Sequence, residues 1–269
     1  MTQAMYRASE YSGTGPENYE KYFVPTIGAP LAEDLVETAA LRRGERVLDV
    51  ACGTGAVTRR VVELVGPNGT VAGLDVNPGM ISVARAATPD DAAIDWYETS
   101  IEATPLPDGS FDVVLCQMGL QFVSDKRKAL EEIRRILGPG GRVVFNLPGP
   151  TPALFAEFGD ALARHIGPEC AGFVNLVFSL HDSDELRGLM TDAGFERVDI
   201  DKSRKRLQLP NPKDFMWQYI HSTPMAGMVA NATDEQHAGL TDDVRKRWQK
   251  FVEDDTLIVY VDMTTVCGK

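Results

Sequence analysis

Two acidic residues, each at the end of an apolar run, could bind a cationic nucleoside. Asp49 follows Val47 and Leu48 and lies directly before the glycine-containing residues 51–55. A carboxylate at this point repels a pyrophosphate and attracts an ammonium or sulfonium group. Asp75 ends a second apolar run about 20 residues beyond the glycines, the interval at which a carboxylate can accept both ribose hydroxyls. The sequence therefore predicts a positively charged ligand that carries a ribose.

These two acids need a sheet that brings the carboxyl ends of its strands to one edge. Residues 47–50 are typical of a buried parallel strand, Gly53 and Gly55 supply backbone freedom, and residues 57–65 follow as a helix. This order is typical of the nucleotide-binding corner of a doubly wound sheet. Thr58 stands where a dinucleotide pattern has its third glycine, so that pattern is incomplete.

Residues 45–55 resemble motif I of the class I S-adenosylmethionine-dependent methyltransferases, and the resemblance extends over roughly residues 45–147. Further matching segments are residues 73–80, 105–112 and 134–142, the last of which is characteristic of the type 11 group with its ubiquinone and menaquinone biosynthesis branch. The resemblance implies a Rossmann-like, doubly wound α/β sheet of seven strands, mostly parallel with the last strand antiparallel. It also implies S-adenosyl-L-methionine as cofactor and S-adenosyl-L-homocysteine as product.

The same resemblance assigns residues to the adenine end of the cofactor. Val76 and Met80 would flank the adenine, although side chains of this kind at a helix start are also explained by core packing. Ser100 and Ile101 stand where many family members have Asp-Ala, so a hydroxyl replaces the carboxylate that accepts from the adenine amino group. Glu102 is the alternative acceptor, or a solvated residue.

Two amides follow the predicted fourth strand. By topology this loop faces the cofactor's sulfur, so Gln117 and Gln121 could bind the methionine moiety or the methyl acceptor. Cys116 closes the strand and Cys52 lies in the glycine loop, and both are expected to be small packed residues near the site. The predicted cofactor-binding residues are Asp49, Ala51, Gly53, Gly55, Asp75, Val76, Met80, Ser100, Ile101, Cys116, Gln117 and Gln121.

The reaction implied by the resemblance is transfer of a methyl group from a sulfonium to an O, N, S or C nucleophile. Alignment and desolvation suffice for this step, and a base is needed only if the acceptor must lose a proton. His165, His181, His221 and His237 lack metal-ligand spacing, so no metal site is predicted. His221, in a predicted lid, and Tyr22, at the mouth, are the candidate catalytic residues. His221→Ala would then slow turnover and spare cofactor affinity.

Residues 1–29 form an N-terminal segment that is unusually aromatic. In related methyltransferases such a segment folds over the cofactor mouth and shapes the acceptor pocket, and surface packing is the alternative. A short helix is predicted at residues 18–25, followed by a helix that starts at Pro30. The aromatic residues of the segment are Tyr6, Tyr11, Tyr19, Tyr22 and Phe23.

The methyltransferase domain is predicted to span residues 30–269, with lid elements near residues 151–181 and 211–254. Residues 170–180 are predicted to be an apolar connector. Val198 and Ile200 mark a sixth strand and residues 256–266 the last one. The stretch between these strands is too long for a simple connection, so helices that cover the acceptor are expected there.

The 269 residues carry 27 Lys and Arg against 39 Asp and Glu, a net charge of -12, which argues against a nucleic-acid substrate. The chain has neither an apolar run of about 18 residues nor the apolar core of a secretory signal. We therefore predict a cytoplasmic small-molecule methyltransferase without a membrane span, and a homodimer stays open. An NAD(P)-dependent oxidoreductase, disfavoured by Asp49 and Thr58, and a non-catalytic S-adenosylmethionine-binding protein are the alternatives.

Overall fold

Eight strands make one sheet in the part of the chain that the computed structural model describes, residues 13–269. Tyr6 and Tyr11 of the predicted N-terminal segment lie outside the described residues. The strand order is β3-β2-β1-β4-β5-β8-β6, and β7 pairs with β8. The strands are β1 Arg46–Val50, β2 Thr70–Asp75, β3 Ile94–Glu98, β4 Phe111–Gln117, β5 Leu137–Pro148, β6 Val198–Leu209, β7 Val252–Glu253 and β8 Thr256–Gly268.

Helices cover both faces of this sheet and one end of it. A π-helix, Tyr19–Gly28, joins α1 to α2 without a break, and two short 3-10 helices lie at Leu120–Phe122 and Gln249–Phe251. The α-helices are α1 Gly15–Asn18, α2 Ala29–Ala39, α3 Ala56–Val65, α4 Pro78–Ala86, α5 Lys126–Ile136, α6 Ala153–His165, α7 Pro168–Val177, α8 Ser183–Asp192, α9 Pro212–His221, α10 Met225–Val229 and α11 Asp234–Trp248.

The parallel half of the sheet follows from its apolar strands, which bury side chains on both faces. β1 pairs in parallel with β2 and β4, and Val47, Leu48 and Val50 are at most 2% exposed. One face packs against α2 and α3, the other against α5 and α8. The Rossmann-like α/β fold predicted from the sequence is therefore confirmed, including the antiparallel last strand β8.

β6 is much longer than the sequence indicated, whereas β8 extends only two residues beyond the predicted strand at residues 256–266. The two strands pair from Val198 with Gly268 to Leu209 with Leu257. Six of the twelve residues of β6 are charged, so the strand lacks the apolar run that would indicate its length. The far halves of both strands extend past the end of β5 and bury Leu207, Val259 and Val261 in an apolar cluster with α6, α7, α9 and α11.

The helices near residues 151–181 and 211–254 pack into one apolar cluster around α6, α7, α9 and α11. The predicted connector at residues 170–180 is wrong, because residues through Val177 form the helix α7, which buries Cys170, Phe173 and Val174. The N-terminal prediction was too short, since one helical segment runs from Gly15 to Ala39. Within residues 13–269 no helix has the length and apolarity to cross a bilayer.

Candidate active site

Polar side chains from three neighbouring strands meet at the carboxyl edge of the sheet. Asp49 lies near the end of β1, Asp75 ends β2 and Gln117 ends β4. β1 lies between the other two in the sheet. The topology thus brings together residues that are up to 68 positions apart in sequence, as a doubly wound sheet requires of its ligand site.

Asp49 is almost fully buried and has a hydroxyl partner. The Thr58 hydroxyl donates to its Oδ2 at 2.6 Å, and the residue is 1% exposed. Burial raises the pKa of the Asp49 carboxyl to about 7, the Thr58 hydrogen bond opposes the rise, and the nearby charge of Asp75 adds to it. Thr58, where a dinucleotide site has glycine, therefore positions the acid.

Asp75 connects the glycine loop to the start of α4. Its Oδ2 accepts from the Gly53 N–H and its Oδ1 from the Asn77 N–H, both at 2.9 Å. Burial raises the pKa of the Asp75 carboxyl, and these backbone hydrogen bonds oppose the rise. A carboxylate has about four lone-pair sites, so both oxygens keep acceptor capacity for a ligand.

The glycine loop has positive φ angles at three positions. Ala51, Gly53 and Gly55 have φ of 52°, 55° and 82°. A Cβ on Gly55 would lie 2.4 Å from Cη2 of Trp96 on β3. Gly55 is therefore needed for packing against Trp96, whereas Gly53 presents its N–H to Asp75.

A small pocket, here called the loop pocket, lies between the glycine loop and the N-terminal helices and has about 320 Å³ of empty space, which includes its opening to solvent. Three of the predicted cofactor residues, Asp49, Ala51 and Gln117, line it. Thr54 also lines it, and its buried hydroxyl has no hydrogen-bond partner within the described chain. Sequence reasoning missed Thr54, although a hydroxyl residue between two glycines of such a loop is a usable signal.

A larger space, here called the aromatic cavity, lies beside the loop pocket and has about 780 Å³ of empty space, which includes its opening to solvent. Tyr19 lines both spaces. No charged residue lines the cavity in the described chain. Its lining residues are Tyr19, Phe23, Ile27, Leu31, Met80, Met118, Gln121, Phe122, Pro148, Phe155, Phe173, Val177, Phe178, Tyr219, Ser222, Thr223, Pro224 and Val261.

The two amides of the loop after β4 have different surroundings. Gln117 lines the loop pocket and donates from Nε2 to the Gly28 carbonyl at 2.7 Å, which fastens the N-terminal helix to the sheet edge. Gln121 instead lines the aromatic cavity and is 1% exposed. Met80, expected to face the adenine, lines this cavity as well.

Seven predicted cofactor residues line neither space: the three described above, Gly53, Gly55 and Asp75, and four others. Ile101 and Cys116 belong to the core between the sheet and α5, and burial raises the pKa of the Cys116 thiol to about 12. The Ser100 hydroxyl accepts from the Glu102 N–H at 3.1 Å. Val76 is 41% exposed next to Asp75. Of these four, Val76 keeps an open face at the sheet edge.

Glu102, the alternative adenine acceptor, is held by the protein. Its Oε1 accepts from the Asp125 N–H at 2.6 Å. Asp125 in turn caps α5 by accepting a hydrogen bond from the Lys128 N–H. Glu102 thus connects the loop after β3 to the start of α5.

The structure does not bring the two predicted catalytic side chains into the aromatic cavity. His221 is exposed at the end of α9, where its ring stacks on Trp217. Tyr22 lines a separate shallow groove, and Lys21 lies over its ring. Tyr219, two residues before His221, does line the cavity, and its hydroxyl has no hydrogen bond to any described residue.

Comparisons with known proteins agree with this architecture. A family model described as a methyltransferase domain matches residues 48–145. The ubiquinone/menaquinone biosynthesis C-methyltransferase UbiE of Pectobacterium atrosepticum is 35% identical over 178 residues, 61% of this chain and 71% of that protein. The structure of Haemonchus contortus phosphoethanolamine N-methyltransferase 2 with S-adenosyl-L-methionine matches with a TM-score of 0.61 at 18% identity, over 100% of this chain and 59% of the other. A second structure of that enzyme, with phosphomonomethylethanolamine and S-adenosylhomocysteine, gives 0.60 at 19% identity, over 97% and 58%.

A Rossmann-like sheet with this glycine loop and a methyltransferase-domain match defines a class I S-adenosylmethionine-dependent methyltransferase. The chain belongs to the UbiE-like family of these enzymes. S-adenosyl-L-methionine is therefore its cofactor, which confirms the prediction from the sequence. The oxidoreductase and the non-catalytic alternatives are set aside.

Proposed function

We propose that the protein transfers a methyl group from S-adenosyl-L-methionine to an O, N or C atom of a small, uncharged acceptor that carries a ring. The observation that carries this proposal is the aromatic cavity, which is next to the loop pocket and shares the lining residue Tyr19 with it. Phe23, Phe155 and Phe173 offer ring faces, and none of the lining residues within the described chain is charged. A charged acceptor would be desolvated there without a partner.

We assign the loop pocket to the methionine end of the cofactor and Asp75 to its ribose. The buried Asp49 carboxylate offers a partner to the ammonium group, and the unpartnered Thr54 hydroxyl offers a donor to the carboxylate. Val76 keeps its assignment to the adenine. Three contacts support the site. Gly53 donates a hydrogen bond to Asp75, Gly55 lets Trp96 pack closely, and Gln117 donates to the Gly28 carbonyl.

The cofactor supplies a methyl group already activated by its sulfonium charge. The protein therefore acts by alignment and by exclusion of water, which the apolar lining of the aromatic cavity provides. Burial raises the pKa of the Tyr219 phenol above its ordinary value, so this group stays protonated at neutral pH and serves as a hydrogen-bond donor to the acceptor. Tyr219 thus replaces His221 and Tyr22 as the candidate residue beside the reacting group.

The proposal is tested by methyl transfer from labelled S-adenosyl-L-methionine to a panel of acceptors. The panel compares phenols and hydroquinones with phosphoethanolamine and aliphatic amines. We expect product with the uncharged ring compounds alone, and no product without enzyme. If the charged acceptors were methylated and the ring compounds were not, the proposed acceptor class would be wrong.

Tyr219→Phe should raise the KM for the acceptor about three- to tenfold, because one neutral hydrogen bond is lost. Cofactor affinity should stay unchanged, since Tyr219 does not line the loop pocket. His221→Ala is the matched control on the same helix and should leave both quantities at their wild-type values. Steady-state kinetics and calorimetric titration of the cofactor measure both effects. A larger loss in His221→Ala than in Tyr219→Phe would return the base assignment to the histidine.

An ion pair fastens the N-terminal helix to the glycine loop. Arg59 on α3 donates to Glu20 at 2.6 Å and to the Thr54 carbonyl at 2.5 Å, and both charged side chains are at most a quarter exposed. Glu20 lies within the π-helix, directly after Tyr19. Its ion pair therefore holds the segment that brings Tyr19 to both spaces. This pair therefore connects the covering segment to the proposed cofactor site.

Glu20→Gln should weaken binding of S-adenosyl-L-methionine about two- to fivefold, because a partly buried ion pair of this kind contributes about 1 kcal/mol or less. Glu63→Gln is the matched control, since Glu63 pairs with Arg60 on the same helix but at 67% exposure. Titration calorimetry measures the affinity of both variants for S-adenosyl-L-methionine. Equal affinities in the two variants would show that the Glu20 pair does not stabilise the bound state.

A further inference from the structure

The buried amide of Gln121 stands out in the aromatic cavity. Its Oε1 and its Nε2 are both buried, and neither has a hydrogen-bond partner within the described residues. An unpaired buried amide opposes folding, so its retention points to a ligand that completes it. In the described chain, no other side chain has two polar atoms that are both buried and without a hydrogen-bond partner.

The backbone holds this amide in place. Met118 has a φ of 47°, and its N–H donates to the Asn146 carbonyl at 2.9 Å. A Cβ on Gly119 would lie 2.6 Å from the Cβ of Ala51, so the loop packs closely on the glycine loop. The 3-10 helix Leu120–Phe122 then carries Gln121 into the cavity. A rotation of the side chain amide exchanges donor and acceptor but leaves one of each.

No hydroxyl of the described residues hydrogen-bonds to the amide. Ser222 already donates to the Asn18 carbonyl at 3.0 Å, and Thr223 donates to the Ile220 carbonyl at 3.2 Å. The remaining lining near Gln121 is dominated by apolar and aromatic side chains. A ligand that satisfies both ends of the amide must therefore present one donor and one acceptor side by side.

We infer that Gln121 is a specificity-determining residue that binds two neighbouring oxygens on the acceptor ring. One hydroxyl of the acceptor donates to Oε1, and the adjacent oxygen accepts from Nε2. The acceptor class is thereby an aromatic ring with vicinal oxygen substituents. This inference rests on the proposed function, because it assumes that the aromatic cavity takes the acceptor.

The test is calorimetric binding of 2,3-dihydroxynaphthalene and of 2-naphthol to the full chain saturated with S-adenosylhomocysteine. The wild type should bind the diol about tenfold or more tightly than the single hydroxyl compound. Gln121→Met keeps the length of the side chain and removes both polar atoms, so the affinity ratio should fall to about one. Gln249→Met, an exposed glutamine outside the cavity, should keep the wild-type ratio.

Thermal unfolding checks the fold of the variant, and we expect a Tm for Gln121→Met no lower than that of the wild type. If the Tm falls, Gln121→Leu, a smaller apolar side chain without a donor or an acceptor, should lower the ratio in its place. A ratio unchanged from wild type in the folded variant would overturn the inference and leave the proposed function standing. If neither naphthalene compound bound the wild type, both the inference and the proposed function would be overturned.

Discussion

We expect Asp75→Ala to lower the affinity for S-adenosyl-L-methionine about ten- to a hundredfold. The carboxylate accepts from the Gly53 and Asn77 N–H groups and keeps lone pairs that we assign to the ribose hydroxyls. Loss of two charge-assisted hydrogen bonds to the ligand accounts for about 1.5–3 kcal/mol. The free energy of unfolding should also fall by about 1–3 kcal/mol, because two backbone donors lose their partner.

Two variants separate the ligand effect from the structural one. Asp75→Asn keeps the size and one acceptor oxygen, so its cofactor affinity should lie between those of wild type and Asp75→Ala. Asp95→Ala removes an exposed acid from the adjacent strand β3 and should change nothing. Titration calorimetry and thermal unfolding are measured on the same samples. Wild-type affinity in Asp75→Ala would remove the ribose assignment, whatever the change in stability.

The parts of the site that follow from local sequence were predictable. Asp49 and Asp75 end short apolar runs, and Asn77 caps α4 by accepting from the Met80 N–H at 3.0 Å. Each of these features depends on fewer than about ten consecutive residues, because strands and caps have fixed periods and preferred residue types. The carboxyl-edge arrangement then follows from the parallel topology alone.

The parts that depend on packing between distant segments were not predictable in the same way. On α9, Phe215 and Tyr219 are one turn apart and face inward, whereas His221 is about 200° further round the helix and faces outward. The inward face could have been found from the buried pattern of Phe215, Met216, Tyr219 and Ile220. The partition of Gln117 and Gln121 between two spaces depends instead on the N-terminal helix, which no local pattern locates.

We expect Asp49 to make the free energy of unfolding of the ligand-free protein depend on pH. The ordinary pKa of 3.8 applies in the unfolded chain, and burial raises it to about 7 in the folded one. Between about pH 4 and 7 the folded state therefore binds more protons than the unfolded state, and stability falls as the pH rises through this window. The fall levels off above about pH 7 and amounts to about 4 kcal/mol.

Under our assignment the cofactor's ammonium group lies beside Asp49 and favours the ionised carboxylate, so cofactor binding should reverse this dependence. Affinity for S-adenosyl-L-methionine should therefore rise from about pH 5 to 7, and binding near pH 6 should release a proton. Calorimetry in buffers of different ionisation enthalpy measures that proton. Both effects come from the same carboxylate, so both should level off at the same pH, about 7.

Asp49→Asn assigns the effect to one residue, since it keeps the size of the side chain and an oxygen that can accept from the Thr58 hydroxyl. The variant should bind the cofactor weakly at every pH and release no proton. Without cofactor it should be more stable than the wild type above pH 7 and nearly equal to it near pH 4, because the neutral amide avoids burial of a charge. An Asp49→Asn stability profile that falls as steeply as the wild-type one would assign the pH dependence to Asp75, whose pKa burial also raises.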